Sequence, residues 1–212
     1  LLVNRRGQEI SMQDSAAPIR DRAGRLIGVV MVFHDVSQER RLQRALSYQA
    51  THDALTGLIN RREFEHRLNE TLQASRADPD IRHVVLYLDL DQFKVVNDTC
   101  GHQAGDRVLI DLVAMLRREL RTMDFLGRYG GEEFMILLPE TGSTGARIFT
   151  DRILRRIANH QFGSDASPIS VTVSAGLATF PDERATDAAS LLKLADENLY
   201  KAKQAGRNRY RD

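Results

Sequence analysis

The sequence has no tryptophan, a single cysteine and almost no net charge, its 30 lysines and arginines being offset by 29 aspartates and glutamates. The lone Cys100 excludes an internal disulfide and fits a reducing compartment. A formal charge of +1 gives no global attraction to nucleic acid or to an anionic membrane, so any phosphate recognition must come from a local site. None of the six histidines forms a ligand pair of familiar metal-binding spacing, which disfavours zinc. No apolar run approaches the length of a membrane span, and the longest two, residues 26–33 and 84–88, suit buried strands. Internal repeats and low-complexity segments are also missing. The 212 residues suffice for one full domain and a fragment. The chain opens without Met in what reads as mid-domain sequence, so it is expected to be a piece of a longer protein. The piece itself is expected to be cytoplasmic, whether or not the parent is membrane-anchored.

What is present changes character along the chain. Residues 1–36 read as β structure: 9–13 alternate, Asp21-Arg22-Ala23-Gly24 makes a turn, and 26–33 is a strongly apolar strand. Two or three strands cannot bury a core alone. Residues 37–49 are polar and helix-prone, with Leu42 and Leu46 on one face; a short parallel coiled coil and a solvated linker both fit. Beyond them the periodicity predicts helices over 61–75, 105–120, 144–157 and 187–205, the last closed by Gly206. Strands are predicted over 84–88, 134–138 and 169–177. That order implies an α+β fold, a mostly antiparallel central sheet covered by helices.

Two fragments carry chemistry. The run Val84-Val85-Leu86-Tyr87-Leu88 leads into Asp89-Leu90-Asp91, and a Gly130-Gly131 turn leads into Glu132-Glu133 and a second apolar strand. A carboxylate at the end of a hydrophobic strand is costly unless it is paired or metal-bound. Two such groups suit magnesium, which takes one or two carboxylates and fills its shell with phosphate and water. Paired glycines allow a tight turn and the close approach of a ligand. The fragments therefore fit metal-dependent phosphoryl chemistry with polymerase-palm-like geometry; a charged β-turn at a sheet rim fits them as well.

Four segments in order, Asp53-Ala54-Leu55-Thr56-Gly57-Leu58-Ile59-Asn60-Arg61-Arg62, Asp89-Leu90-Asp91-Gln92-Phe93-Lys94, Asn97-Asp98-Thr99-Cys100-Gly101-His102-Gln103-Ala104-Gly105-Asp106 and Arg128-Tyr129-Gly130-Gly131-Glu132-Glu133-Phe134, resemble the signatures of the GGDEF family of diguanylate cyclases. The resemblance runs from about residue 50 to 209. It implies a palm-like nucleotidyl cyclase fold over 52–212 and condensation of two GTP into cyclic di-GMP and pyrophosphate across a homodimer, with no nucleic-acid partner. By the same resemblance, Asp89, Glu132 and the Leu90 carbonyl ligate two magnesium ions per GTP, manganese being an alternative. Glu132 is the implied proton acceptor, with Glu133 and Lys94 supporting the reaction. Asn97 and Asp106 match the guanine readers, with His102 a weaker candidate between them. Gln92, Phe93, Gly130, Gly131, Lys203 and Arg207 match positions around the phosphates.

Each of these positions also has an ordinary structural account. Asn97 could cap a turn, Asp106 could be a helix N-cap, and Lys203 could answer a helix dipole. Arg121, Asp124 and, with less support, Arg152 match the family's product-inhibition site, although an Arg and an Asp three apart also suit a surface ion pair. Gln92 and Cys100 depart from what many relatives carry, and the motif reads GGEEF where the family is named for an Asp. Residues 17–36 resemble the last strands of a PAS sensor domain; an unrelated hairpin is the alternative. The implied organisation is a PAS-like tail at 1–36, a signalling or linker helix at 37–51 and the cyclase domain at 52–212, compatible with a phosphodiesterase domain elsewhere in the parent. Two rivals remain: an inactive GGDEF module that binds GTP or cyclic di-GMP, and a polymerase palm. The palm is disfavoured by the short chain, the missing finger-like insertions and the near-neutral charge.

Overall fold

In the computed structural model, which describes residues 2–3, 9–75, 78, 80–164 and 167–212, the chain forms two units, Leu1–Ala50 and Thr51–Asp212. In the first unit β1 (Leu2–Val3) pairs with β2 (Glu9–Ile10), and β3 (Met12–Arg20) pairs with β4 (Leu26–Asp35), both antiparallel. The expected turn between β3 and β4 is built by Asp21, whose carboxylate accepts hydrogen bonds from the Ala23 and Arg25 amides, while Gly24 takes the left-handed conformation. The apolar strand forms as expected, but it is not buried: Leu26, Val29, Met31 and Phe33 are among its exposed side chains. A two-stranded ribbon by itself covers neither of its own faces. Residues 1 and 4–8 of the expected β segment lie outside the described residues. Helix α1 (Ser37–Thr51) follows, with Leu42 and Leu46 exposed.

The second unit runs β5 (Ile59–Asn60), α2 (Arg61–Ala74), β6 (His83–Leu90), α3 (Phe93–Cys100), α4 (His102–Glu119), β7 (Phe125–Gly130), β8 (Glu133–Leu138), α5 (Ser143–Ala158), β9 (Phe162–Ser164), β10 (Ser167–Ile169), β11 (Val173–Phe180), α6 (Ala188–Gln204) and β12 (Tyr210–Arg211). Six strands form one sheet in the order β12-β11-β6-β8-β7-β5. The central pairings β11–β6, β6–β8 and β8–β7 are antiparallel, and only the outer β12 and β5 pair in parallel. The fold is therefore the expected α+β arrangement, a mostly antiparallel sheet between helical layers. Strand alternation divides the core. Leu86, Leu88, Phe134 and Ile136 face Leu109, Leu112 and Leu116 of α4 and Ile153 of α5. Val85, Tyr87, Met135 and Leu137 face Phe64 and Leu68 of α2 and Leu191 and Leu199 of α6.

Three boundaries differ from the sequence reading in ways that bear on the site. Strand β6 continues through Asp89 and Leu90, so the carboxylate belongs to the sheet rather than to a loop after it. Helix α4 starts at His102, three residues earlier than the apolar repeat suggests, directly after Gly101 closes α3. The strand expected over 169–177 is split: β10 pairs with β9 in a separate ribbon, while the Thr172 carbonyl accepts the Asp91 amide and leads into β11.

Candidate functional site

Asp89 sits on β6 directly opposite Glu133 of β8 and Ser174 of β11. Residues opposite one another in a sheet share a face, so Asp89 and Glu133 lie on the side covered by α6. From the last turn of that helix, Lys203 brings its Nζ to 2.8 Å from Asp89 Oδ2. Asp89 is only 8% exposed. Burial pushes its pKa up, the Lys203 ammonium opposes that rise, and the charges of Glu132 and Glu133 reinforce it. Asp89 thus has one ammonium in contact and two further carboxylates whose charges reach it.

Glu132 is carried on the tip of the β7–β8 hairpin, and two contacts fix that tip. The Leu90 amide donates to the Glu132 carbonyl at 3.3 Å. Arg128 donates to the Gly131 carbonyl from Nε at 3.0 Å and Nη2 at 2.7 Å, and its Nη1 reaches Asp53 Oδ1 at 2.9 Å. Asp53 also accepts from the Thr56 amide and hydroxyl. Burial alone would raise its pKa, but the Thr56 and Arg128 bonds hold it below the usual carboxylate range. The first and last sequence signatures are therefore joined by one ion pair. The two glycines differ in purpose: a Cβ on Gly130 would lie 2.5 Å from Glu133 Oε2, whereas Gly131 faces open space.

Glu133 leads away from the metal candidates. It lies beside the Tyr87 hydroxyl and, after burial, is the next cause raising that tyrosine's pKa. Tyr87 meets Tyr129 edge-on with ring centres 5.4 Å apart. Tyr129 donates to Glu65 Oε1 at 2.6 Å, and Arg61 both donates to Glu65 at 2.9 Å and lies 4.5 Å over the Tyr129 ring. This chain from the hairpin to α2 escaped the sequence reading; an aromatic residue inside the otherwise aliphatic run at 84–88 was its one sign. Asp91 likewise has a role that its place in the sequence does not announce. It is buried and accepts from the Thr172 and Ser174 hydroxyls and from the Asn208 amide, tying the segment after α6 to the sheet.

The nucleotide-reading candidates lie on α3 and α4. Gln92 adopts the left-handed conformation as the N-cap of α3. The Phe93 side chain enters the core, so any contact to phosphate from this position is left to its backbone amide. Lys94 is exposed in the first turn of the helix. Asn97 packs against α4 where Gly105 leaves room: a Cβ there would lie 2.0 Å from Asn97 Oδ1. His102 and Asp106 are exposed on the first turns of α4. Gly101 is the N-cap of that helix and Asp106 its fifth residue, so the capping account of Asp106 fails. Arg207 is exposed just beyond α6, in the left-handed conformation.

The candidate product site is only partly assembled. Arg121 and Asp124 are paired at 2.8 Å, and Arg121 also donates to the Pro139 carbonyl and the Thr141 hydroxyl. Arg152 does not join them: its Nε lies 2.8 Å from Glu119 Oε2, and Arg156 binds the other oxygen of the same carboxylate.

Among the described residues, no three His, Cys, Asp or Glu side chains converge into a ready-made metal cage. The donor chemistry nevertheless fits magnesium: hard carboxylate oxygens on Asp89 and Glu132, and a cation, the Lys203 ammonium, already seated on Asp89. Among the same residues no helix is long and apolar enough to cross a membrane.

Comparison with known proteins gives a consistent result. The family model described as "Diguanylate cyclase, GGDEF domain" matches residues 50–209. A probable diguanylate cyclase of Escherichia coli, DgcE, is 38% identical over 97% of this chain, which spans 18% of that protein. The diguanylate cyclase DgcP of Pseudomonas aeruginosa is 40% identical over 84% of the chain, which spans 25% of it. The chain thus covers a minor part of the length of these relatives. Among solved structures, the coiled coil and GGDEF domain of DgcB from Caulobacter crescentus, in complex with c-di-GMP, superposes with a TM-score of 0.74 at 28% identity, covering 82% of this chain and 91% of that one. The diguanylate cyclase SiaD of Pseudomonas aeruginosa, in complex with its activator SiaC, gives 0.70 at 36% identity, covering 82% and 65%.

Proposed function

The chain belongs to the GGDEF diguanylate cyclase family, and on that premise we propose that it condenses two GTP into cyclic di-GMP and pyrophosphate across a homodimer. The observation that carries this reading is the convergence of Asp89, the Glu132–Glu133 hairpin and Lys203 on one end of the sheet. Asp89, Glu132 and the Leu90 carbonyl are the groups that would hold two magnesium ions, or manganese. When bound, the metal polarises the α-phosphate and neutralises charge on the departing pyrophosphate. The rest falls to the chain. Lys94, Arg207 and Lys203 supply cations for the triphosphate, with backbone amides at 92–93 and the cleared backbone at Gly130 and Gly131 beside them. Glu132 accepts the proton of the attacking 3′-hydroxyl.

Guanine selection is assigned to Asn97 and Asp106, with His102 alongside. An amide can pair with purine edge groups, and a carboxylate accepts from guanine N1 and N2; adenine has neither hydrogen there and would leave the carboxylate unpaired. One domain holds one GTP and so assembles half of the reaction, which is why two copies are required. Arg121 and Asp124 are read as the core of a product-inhibition site, which Arg152 would have to leave Glu119 to join; the c-di-GMP complexes of DgcB support binding of the product to such a domain without locating it. The N-terminal hairpin and α1 are read as the end of a PAS-like sensor domain and a signalling helix, in a cytoplasmic part of a parent that can include a phosphodiesterase.

Incubation with GTP and magnesium, with the product identified by mass, tests the assignment. Cyclic di-GMP is expected from the unaltered chain, and Glu132→Gln should still bind GTP while forming no product. GTP binding without any product from the unaltered chain would instead make this a regulatory GTP-binding module.

A further inference from the structure

Lys203 occupies an unusual place for a residue read as a phosphate contact. Its ammonium sits on the carboxylate assigned to the metal, 2.8 Å from Asp89 Oδ2, so it and a divalent ion compete for the same carboxylate. We propose that Lys203 is a displaceable counter-ion: it neutralises Asp89 while metal and nucleotide are absent, and it passes to the triphosphate when they load. This inference rests on the reading of Asp89 as a metal ligand.

Three features support the exchange. First, the cluster needs a cation. Asp89 is 8% exposed with Glu132 and Glu133 nearby, and a buried carboxylate left without a partner is strongly unfavourable. Second, the two ends of the ion pair differ in freedom. Asp89 is fixed in a strand paired on both sides, whereas the Lys203 side chain is 32% exposed at the end of α6. Lysine carries its charge on a flexible four-carbon stem, so it can change partner without moving the helix. Third, the Lys203 backbone is held independently of its side chain, the Lys203 carbonyl accepting from the Gly206 amide.

The consequence is thermodynamic. A divalent ion arriving alone must evict Lys203 into solvent, whereas one arriving with a triphosphate gives Lys203 a new anionic partner. Metal and nucleotide binding are therefore coupled positively, and removing the ammonium uncouples them. Lys203→Met should bind metal alone more tightly and nucleotide more weakly, two effects of opposite sign that simple loss of a phosphate contact would not produce.

The experiment is titration of Mn2+, followed by electron paramagnetic resonance, into the unaltered chain and the Lys203→Met, Lys203→Gln, Lys203→Arg and Asp89→Asn variants. Each is measured with and without a non-hydrolysable GTP analogue, and folding is checked by circular dichroism. Without nucleotide, Lys203→Met and Lys203→Gln should bind Mn2+ roughly fivefold or more tightly, the low end of the usual range for coupled sites. Lys203→Arg should match the unaltered chain, and the analogue should improve Mn2+ affinity less in the two neutral variants. If Asp89→Asn weakens Mn2+ binding while both neutral variants bind it no more tightly than the unaltered chain, the counter-ion role is overturned and the metal assignment stands. If Asp89→Asn binds Mn2+ as the unaltered chain does, the metal assignment falls, and the counter-ion role falls with it.

Discussion

At Asp89 a buried carboxylate is held near the end of β6 with two other acids nearby and one ammonium to offset them. Burial raises its folded-state pKa above the unfolded value. Its contribution to stability is therefore present below the unfolded pKa and is lost as pH rises through the raised folded value. Ionisation of Asp89 works against the fold, so Asp89→Asn should unfold at a temperature no lower than the unaltered chain while forming no cyclic di-GMP. A thermal melt at pH 7 beside a product assay checks both halves. The residue scale is also where the sequence is most and least legible. Asp89, Glu132, Asn97 and Asp106 stand in recognisable spacing, and the structure places the first two at one end of the sheet and the last two on facing helices. Tyr87 lies outside the recognisable segments, and Tyr129 and Asp91 stand inside them without a legible role, because what all three do depends on partners 42, 64 and 81 to 117 positions away, which only the folded sheet brings near.

At the scale of elements, the close packing of α3 on α4 depends on Gly105. A Cβ there would collide with Asn97 Oδ1 and press on the Phe93 ring at 3.1 Å. Alanine is the better helix former by about 1 kcal/mol, which offsets part of the strain. Gly105→Ala should therefore fold, yet displace Asn97 and raise the KM for GTP at least severalfold; steady-state kinetics with GTP, alongside a melt, separates the two effects. The helices were legible because apolar residues recur every three or four positions, as Phe64, Leu68 and Leu72 do in α2. Strand β7 was not, since Phe125-Leu126-Gly127-Arg128-Tyr129-Gly130 lacks strict alternation and takes its place from pairing with β8 and β5. Strand β4 shows the opposite failure. Its apolar run predicts burial, but burial needs a second layer, and its paired strand supplies none.

At the scale of the whole molecule, the proposed chemistry needs two copies and the proposed control needs a second site. Arg121 is held by Asp124, the Pro139 carbonyl and Thr141 on the surface, and it makes none of the contacts described around Asp89. Arg121→Ala should therefore relieve product inhibition without abolishing turnover, seen as a progress curve that stays linear to higher product concentration. The most direct test of the central claim is specific activity with GTP and magnesium as a function of protein concentration, with cyclic di-GMP quantified by mass. Because the proposed mechanism gives each domain half of the reaction, activity per molecule should rise with concentration and then level off as the dimer saturates. Absence of cyclic di-GMP at every concentration from folded protein, or a specific activity that stays flat down to concentrations where the chain is demonstrably monomeric, would contradict it.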